Sequence, residues 1–305
     1  MKWVFIVNKA AGNCKYKKIA SNIIKYCNNK DIDFVIHYTR CAGEATAISL
    51  KYKKEKNIIF AVGGDGTVNE VLNGIVNTKN ILGVLPVGSG NDFYKTLKLN
   101  PDGMIKCDVG KINDMYFLNT VCFGVDADVA NNIDLMKMKG IPTSKLYVAS
   151  IIHTLLKFKF KRLNFKVNDV NMSGEFTTLV ICNGKFYGNG FKISPNAKVD
   201  DGFFDVYYVD KLPKVKLVNL LMKLKNGLHE NSPYVHKMRV NNIVVKTDRN
   251  VVANVDGEKY LNNEFKIKII KKFILVYNNK SLIKDLLKWC FMMLEKCYFL
   301  YKKWM

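Results

Sequence analysis

No CxxC pair and no histidine at metal-ligand spacing accompany the eight cysteines, Cys14, Cys27, Cys41, Cys107, Cys122, Cys182, Cys290 and Cys297. Scattered in this way, they argue against a zinc site or a disulfide framework and read as reduced, cytosolic thiols. The four histidines, His37, His153, His229 and His236, fall in no motif and read as structural. Neither standard nucleotide signature is present, since the chain has no GxxxxGK[ST] loop and no GxGxxG spacing. No repeat, low-complexity linker or signal-type apolar region occurs, and the short run Met1 to Asn8 reads as a first strand. Acids are scarce: 26 Asp and Glu stand against 48 Lys and Arg, a net charge of +22 over 305 residues. Such an excess fits an anionic phospholipid surface or nucleic acid, or simply solvated lysines in a Lys- and Asn-rich chain. The composition is otherwise globular, 49% hydrophobic and 24% charged, with room for two domains.

The first part alternates. Strand patterns at 2–7, 33–37, 57–62 and 81–86 are separated by helical patterns at 15–29, 43–54 and 67–77. That βαβα order predicts a doubly wound parallel sheet over residues 1–115. Beyond it, runs at 116–122, 164–167, 176–183, 203–209, 242–246, 251–255 and 264–270 predict a mainly antiparallel β-sandwich over 116–280, with helices near 142–158 and 213–228. A cleft between the two domains is the expected ligand site. Residues 281–305 have an amphipathic helical pattern too interrupted by charge to span a bilayer, and predict a helix that packs on the first domain or faces the membrane.

Three glycine-bearing turns follow three strands: Asn8 to Gly12, Gly63-Gly64-Asp65-Gly66-Thr67-Val68-Asn69, and Gly88-Ser89-Gly90-Asn91-Asp92. Glycines at a strand-to-helix turn let backbone N–H groups face an anion, reinforced by the positive end of the following helix. Asp65, a carboxylate in a phosphate loop, makes sense if a divalent cation or a transferred proton lies between the charges.

The set resembles the diacylglycerol kinase catalytic domain and the related soluble bacterial lipid kinases. Asn8 with Gly12, Gly63 to Thr67 with Asn69-Glu70, Gly88 to Phe93, Pro195 to Asp205 and Val255 to Glu258 occur in that family's order, from about Val4 to Ile270. The resemblance implies ATP bound by Asn8, Thr39, Gly63, Gly64, Asp65, Gly66, Thr67, Val68, Asn69 and Ser89. It implies Glu258 as general base for a lipid hydroxyl, although Asp256-Gly257-Glu258 alone is a hairpin turn. Asp65 then orients nucleotide-bound Mg²⁺, with Asp108 as a weaker nearby carboxylate. A structural Mg²⁺ on Asp201 and the carbonyls of Lys198 and Phe203 is also implied, where a plain Asp-capped turn is the other reading.

The expected protein is therefore an ATP- and Mg²⁺-dependent lipid kinase, with the conversion of diacylglycerol to phosphatidic acid as the expected reaction. It would be cytoplasmic and peripheral at the inner face of the cell membrane. Its partner would be a lipid substrate at an anionic surface, with no nucleic acid, and related enzymes suggest a homodimer. An NAD kinase shares the Gly-Gly-Asp-Gly loop, but Asn91-Asp92 fits the lipid kinases better. A non-catalytic anionic-membrane or nucleic-acid binder would have no use for Asp65 and Glu258 beside phosphate loops.

Overall fold

In sheet strands made wholly of apolar residues, successive side chains enter opposite layers, so such strands need cover on both faces. A computed structural model describes residues 1–11, 16–141, 149–151, 153–154, 161–167 and 170–287. In it β1 (Trp3–Asn8), β2 (Phe34–Thr39), β3 (Ile58–Gly63) and β4 (Ile81–Pro86) are parallel, in the order β4-β3-β1-β2. Val4 and Ile6 turn toward α2 (Glu44–Leu50) and α3 (Asp65–Ile75), where Ala45, Val68, Val71 and Leu72 meet them. Phe5 and Val7 turn to the other side, against Ile19, Ile23 and Cys27 of α1 (Tyr16–Asn29). The same side is filled by Leu282, Ile283, Leu286 and Leu287 from a helical segment at 280–287. The rest of the expected C-terminal helix lies outside the described residues.

A short α4 (Asp92–Leu97) leads into β5 (Gly103–Ile112), β6 (Met115–Phe117) and β7 (Thr120–Gly124). Then come α5 (Val125–Asn131), α6 (Ile133–Met138), β8 (Lys161–Val167), β9 (Val170–Cys182) and β10 (Phe204–Asp210). Next are α7 (Lys214–Leu224), a 3-10 turn at Leu228–Asn231, β11 (Val235–Val240), β12 (Asn242–Val255) and β13 (Glu258–Asn278), which precedes the segment at 280–287. Pairing among these strands is antiparallel, and β7, β12, β8 and β9 close a circuit around Phe123, Phe165, Leu179, Val245 and Phe265. The architecture is thus an α/β domain followed by a sheet-rich, sandwich-like region.

Several features differ from the sequence pattern, among them helices α5 and α6, which lie where no helix was expected. β5 and β11 are strands where no strand was expected, because Lys106, Asp108 and Lys111 interrupt the apolar run of β5 and Lys237 and Arg239 that of β11. The helix expected at 43–54 stops at Leu50, and residues 51–54 form turns. The run at 264–270 is the middle of the 21-residue β13, which bends at a register shift between Ile270 and Ile274. Before that bend β13 pairs with β12; beyond it, Leu275 to Tyr277 pair in parallel with Ile81 to Gly83 of β4. Of the helix expected at 142–158, only 149–151 and 153–154 are described.

Candidate active site

The ends of β1, β3 and β4 lie side by side, so the turns after them meet. Val87 and Gly88 donate their backbone N–H groups to Gly63 O at 3.1 and 3.2 Å. A methyl group on Gly88 would lie 2.4 Å from Gly64 Cα, so the two glycine turns touch backbone to backbone. Gly63, Gly64, Gly66, Gly88 and Gly90 all avoid the left-handed region. Their role is closeness, since a side chain at 88 would force the loops apart.

Helix α3 begins at Asp65, and its first intrahelical bond there runs from Val68 N to Gly64 O. The N–H groups of the preceding turn, Asp65 to Thr67, are the ones a helix start leaves for an anion. Val68 is placed differently from its neighbours: its side chain is in the core and its amide belongs to the helix. Asn8 Nδ2 donates to Thr67 Oγ1 at 3.1 Å, and Thr39 lies beside Asn8 in the β1–β2 register. Ser89 is exposed at the tip of the second turn. Asn91, with φ of 54°, holds that turn by bonding both the N–H and the carbonyl of Gly88.

Asp65 Oδ1 accepts the Phe93 N–H at 3.1 Å, fastening the first loop to α4. Asp92 follows closely: burial, and then the charge of Asp65, raise its pKa. Its only described cation is Lys95, at 3.2 Å, and its other oxygen accepts the Asn189 N–H. Two neighbouring carboxylates against one lysine suit a divalent cation with oxygen ligands, so Asp65 and Asp92 could hold one beside bound phosphates. Asp92 stood within the recognised motif, but nothing in its spacing distinguished it from a helix cap.

The second region brings a further acid to this place. Asp256 and Gly257, with φ of 49° and 98°, form the two-residue turn between β12 and β13, and Glu258 is the first residue after it. Glu258 Oε1 lies 3.8 Å from where a methyl group on Gly66 would stand, and its side chain is exposed. The hairpin is held from behind. Asp256 is buried and accepts the N–H groups of Leu118, Asn119 and Thr120 at 2.7, 2.8 and 2.9 Å, with Asn69 Nδ2 at 3.2 Å. Burial raises its pKa to about 6 against those four donors. Asn69 also donates to Tyr116 O and accepts from Asn73, so its side chain braces β6 and the hairpin.

The expected magnesium turn is occupied by other interactions. Asp201 accepts the Phe203 N–H with one oxygen and pairs with the Arg239 guanidinium through the other. A carboxylate already neutralised by a guanidinium fits a resident metal ion poorly. Asp108, the weaker carboxylate expected near the metal, is buried and accepts the N–H groups of Gly202 and Lys272, each at 2.6 Å. Among the described residues, no group of three or more His, Cys, Asp or Glu could hold a metal ion. His37 bonds the Tyr52 hydroxyl and His236 bonds Asp210, away from the loops.

Both halves of the chain are similar to known proteins. Residues 2–113 match the "Diacylglycerol kinase catalytic domain" family, and residues 119–276 match the "YegS C-terminal NAD kinase beta sandwich-like domain". A diacylglycerol kinase of Staphylococcus saprophyticus is 27% identical over 267 residues, covering 83% of this chain and 87% of its own. That of Bacillus subtilis is 25% identical over 268 residues, covering 83% and 88%. The solved structure of a diacylglycerol kinase from Bacillus anthracis superposes with a TM-score of 0.70 at 20% identity, covering 92% of this chain and 97% of that one, which speaks for the fold. Because both halves match in order along one chain, the protein belongs to the diacylglycerol kinase and YegS-like family of lipid kinases.

Proposed function

We propose that this kinase transfers the γ-phosphoryl group of ATP to the free hydroxyl of a membrane lipid, with diacylglycerol as substrate and phosphatidic acid as product. The observation that carries the reading is the approach of Glu258 to Gly66, which brings an exposed carboxylate from the second region to the first turn of α3. The backbone amides at Asp65, Gly66 and Thr67 supply donors for the phosphate oxygens, and Asn8, Thr39 and Ser89 supply neutral polar groups around them. Magnesium entering with the nucleotide would sit against Asp65 and Asp92 and offset the phosphate charge. Glu258 accepts the lipid hydroxyl proton as that oxygen bonds to the γ-phosphorus and the bond to the bridging β–γ oxygen breaks. The turn of Lys198, Asp201 and Phe203 takes no part in this transfer, since Asp201 is paired with Arg239.

The lipid would be met at the inner face of the cell membrane, where the net charge of +22 favours anionic headgroups. No helix of the described residues is long and apolar enough to cross a membrane. The test is transfer from γ-labelled ATP with Mg²⁺ to a panel of diacylglycerol, phosphatidylglycerol, a sphingoid base, a polyprenol and NAD. Labelled phosphatidic acid is expected. Label on NAD alone would make the chain an NAD kinase and refute the proposal.

A further inference from the structure

An amphipathic helix on a protein surface ordinarily shows one apolar side, toward the core, and a polar side toward water. Helix α7 shows two apolar sides. Leu217 and Leu224 are buried, and Leu217 packs with Val125 and the partly buried Leu221 and Ile151. Opposite them, Val215, Val218 and Met222 stand outward, 83, 45 and 66% exposed. At about 3.6 residues per turn, the spacing i, i+3, i+7 makes these three one outward row. The same geometry puts Lys214 and Lys225 along one flank of the row and Lys216 and Lys223 along the other. From 211 to 228 the chain has five lysines and no acid. Exposed Tyr234 adjoins the helix, its hydroxyl taking a hydrogen bond from Lys216 Nζ at 2.6 Å.

We infer that the outer face of α7 docks on an anionic lipid bilayer, its row of Val215, Val218 and Met222 entering the headgroup boundary between two lines of lysine. The choice of partner rests on the proposed lipid substrate. An apolar strip bordered by long cationic side chains is what an interfacial helix requires: the strip leaves water while the lysine stems lie along it and their ammonium groups reach phosphates. A tyrosine at the edge suits the headgroup level. A second copy of the chain is a poorer occupant, because closing this face on itself would set lysines against lysines.

The test uses the full chain, without nucleotide or diacylglycerol, and vesicles of phosphatidylcholine with or without an equal part of phosphatidylglycerol. Sedimentation with phosphatidylglycerol vesicles is expected, together with weak binding to pure phosphatidylcholine. The double variant Val218→Glu/Met222→Glu should lose about 30-fold or more in vesicle affinity, and Lys223→Glu/Lys225→Glu about tenfold. All four side chains are exposed, so the variants should unfold at the wild-type temperature. Met222→Trp provides a separate readout: its emission, after subtracting the wild-type spectrum, should shift to the blue only with anionic vesicles. Wild-type affinity in both double variants, or no shift in Met222→Trp, would overturn the inference. So would a wild-type dimer that the Glu substitutions dissociate, or binding to an acidic protein with none to vesicles. Phosphoryl transfer to a short-chain diacylglycerol dispersed in detergent is measured in parallel. Transfer that persists while vesicle binding ignores α7 removes the docking face alone; α7-dependent vesicle binding without any lipid phosphorylation removes the proposed function alone.

Discussion

Asp256 accepts a hydrogen bond from Asn69 across 187 residues of chain, at 3.2 Å. Asn69 belongs to the helix that follows the first glycine turn, and Asp256 to the turn that carries Glu258, so this contact ties the two halves of the site together. Replacing Asn69 by Ala leaves Asp256 one donor short in a buried place and should cost about 1–3 kcal/mol in urea denaturation. Steady-state kinetics should show kcat down by about 10- to 100-fold, because a small displacement of a catalytic group is costly. The KM for ATP should change much less.

Glu258→Gln keeps the size and polarity of the side chain but cannot take a proton. The expected result is a kcat lower by about 10²- to 10⁴-fold. Stabilisation by nucleotide and Mg²⁺, read as a shift in melting temperature, should match the wild type. A variant with more than half of wild-type kcat would remove Glu258 from the role of base.

Gly88→Ala tests the contact of the glycine turns. The atom in its way is Gly64 Cα, 2.4 Å off, which is backbone and cannot rotate aside. Overpacking of this kind costs about 1–3 kcal/mol. The nucleotide-dependent shift in melting temperature should disappear, because the turns must separate. A Gly140→Ala control probes a glycine whose added methyl meets nothing within 4 Å but whose φ of 73° is unfavourable to alanine, so it should be destabilised while keeping the nucleotide shift.

Asp256 also makes a prediction about pH. Its folded pKa of about 6 lies above the ordinary carboxylate value of 3.8, so the folded chain binds the extra proton between these values. Stability from this group is therefore full below the lower value and falls as pH rises through the upper one. Denaturation of the wild type and Asp256→Asn between about pH 4 and 7 should show the wild type losing stability relative to the variant over that window. Activity should run the opposite way, rising through about pH 6 as the carboxylate that receives four donors forms.

The glycine turns could be read in the sequence because their signal is local: a β-branched strand, glycines, then a helical period. Their contact could not, since it depends on β3 and β4 being neighbours. Glu258 is legible only through its family likeness; its own segment, Asp256-Gly257, states only a tight turn. Arg239 was invisible as the partner of Asp201 because it lies in β11, a strand whose Lys and Arg residues hid its alternation. Asn69 and Val68 sat in the phosphate motif, yet packing gives one to a brace and the other to the core. A motif marks which backbone is near the ligand; which side chains face it is decided by the helix turn.

Strand β13 begins at the proposed base and ends wedged between β4 and β5. The gene therefore cannot be divided at the apparent boundary near residue 115, since the first half would be born lacking the strand that joins its last parallel neighbour to β5. Any rocking of one half against the other must flex this shared beam at its bend near Lys272, where φ is 49°, rather than swing on a loose tether.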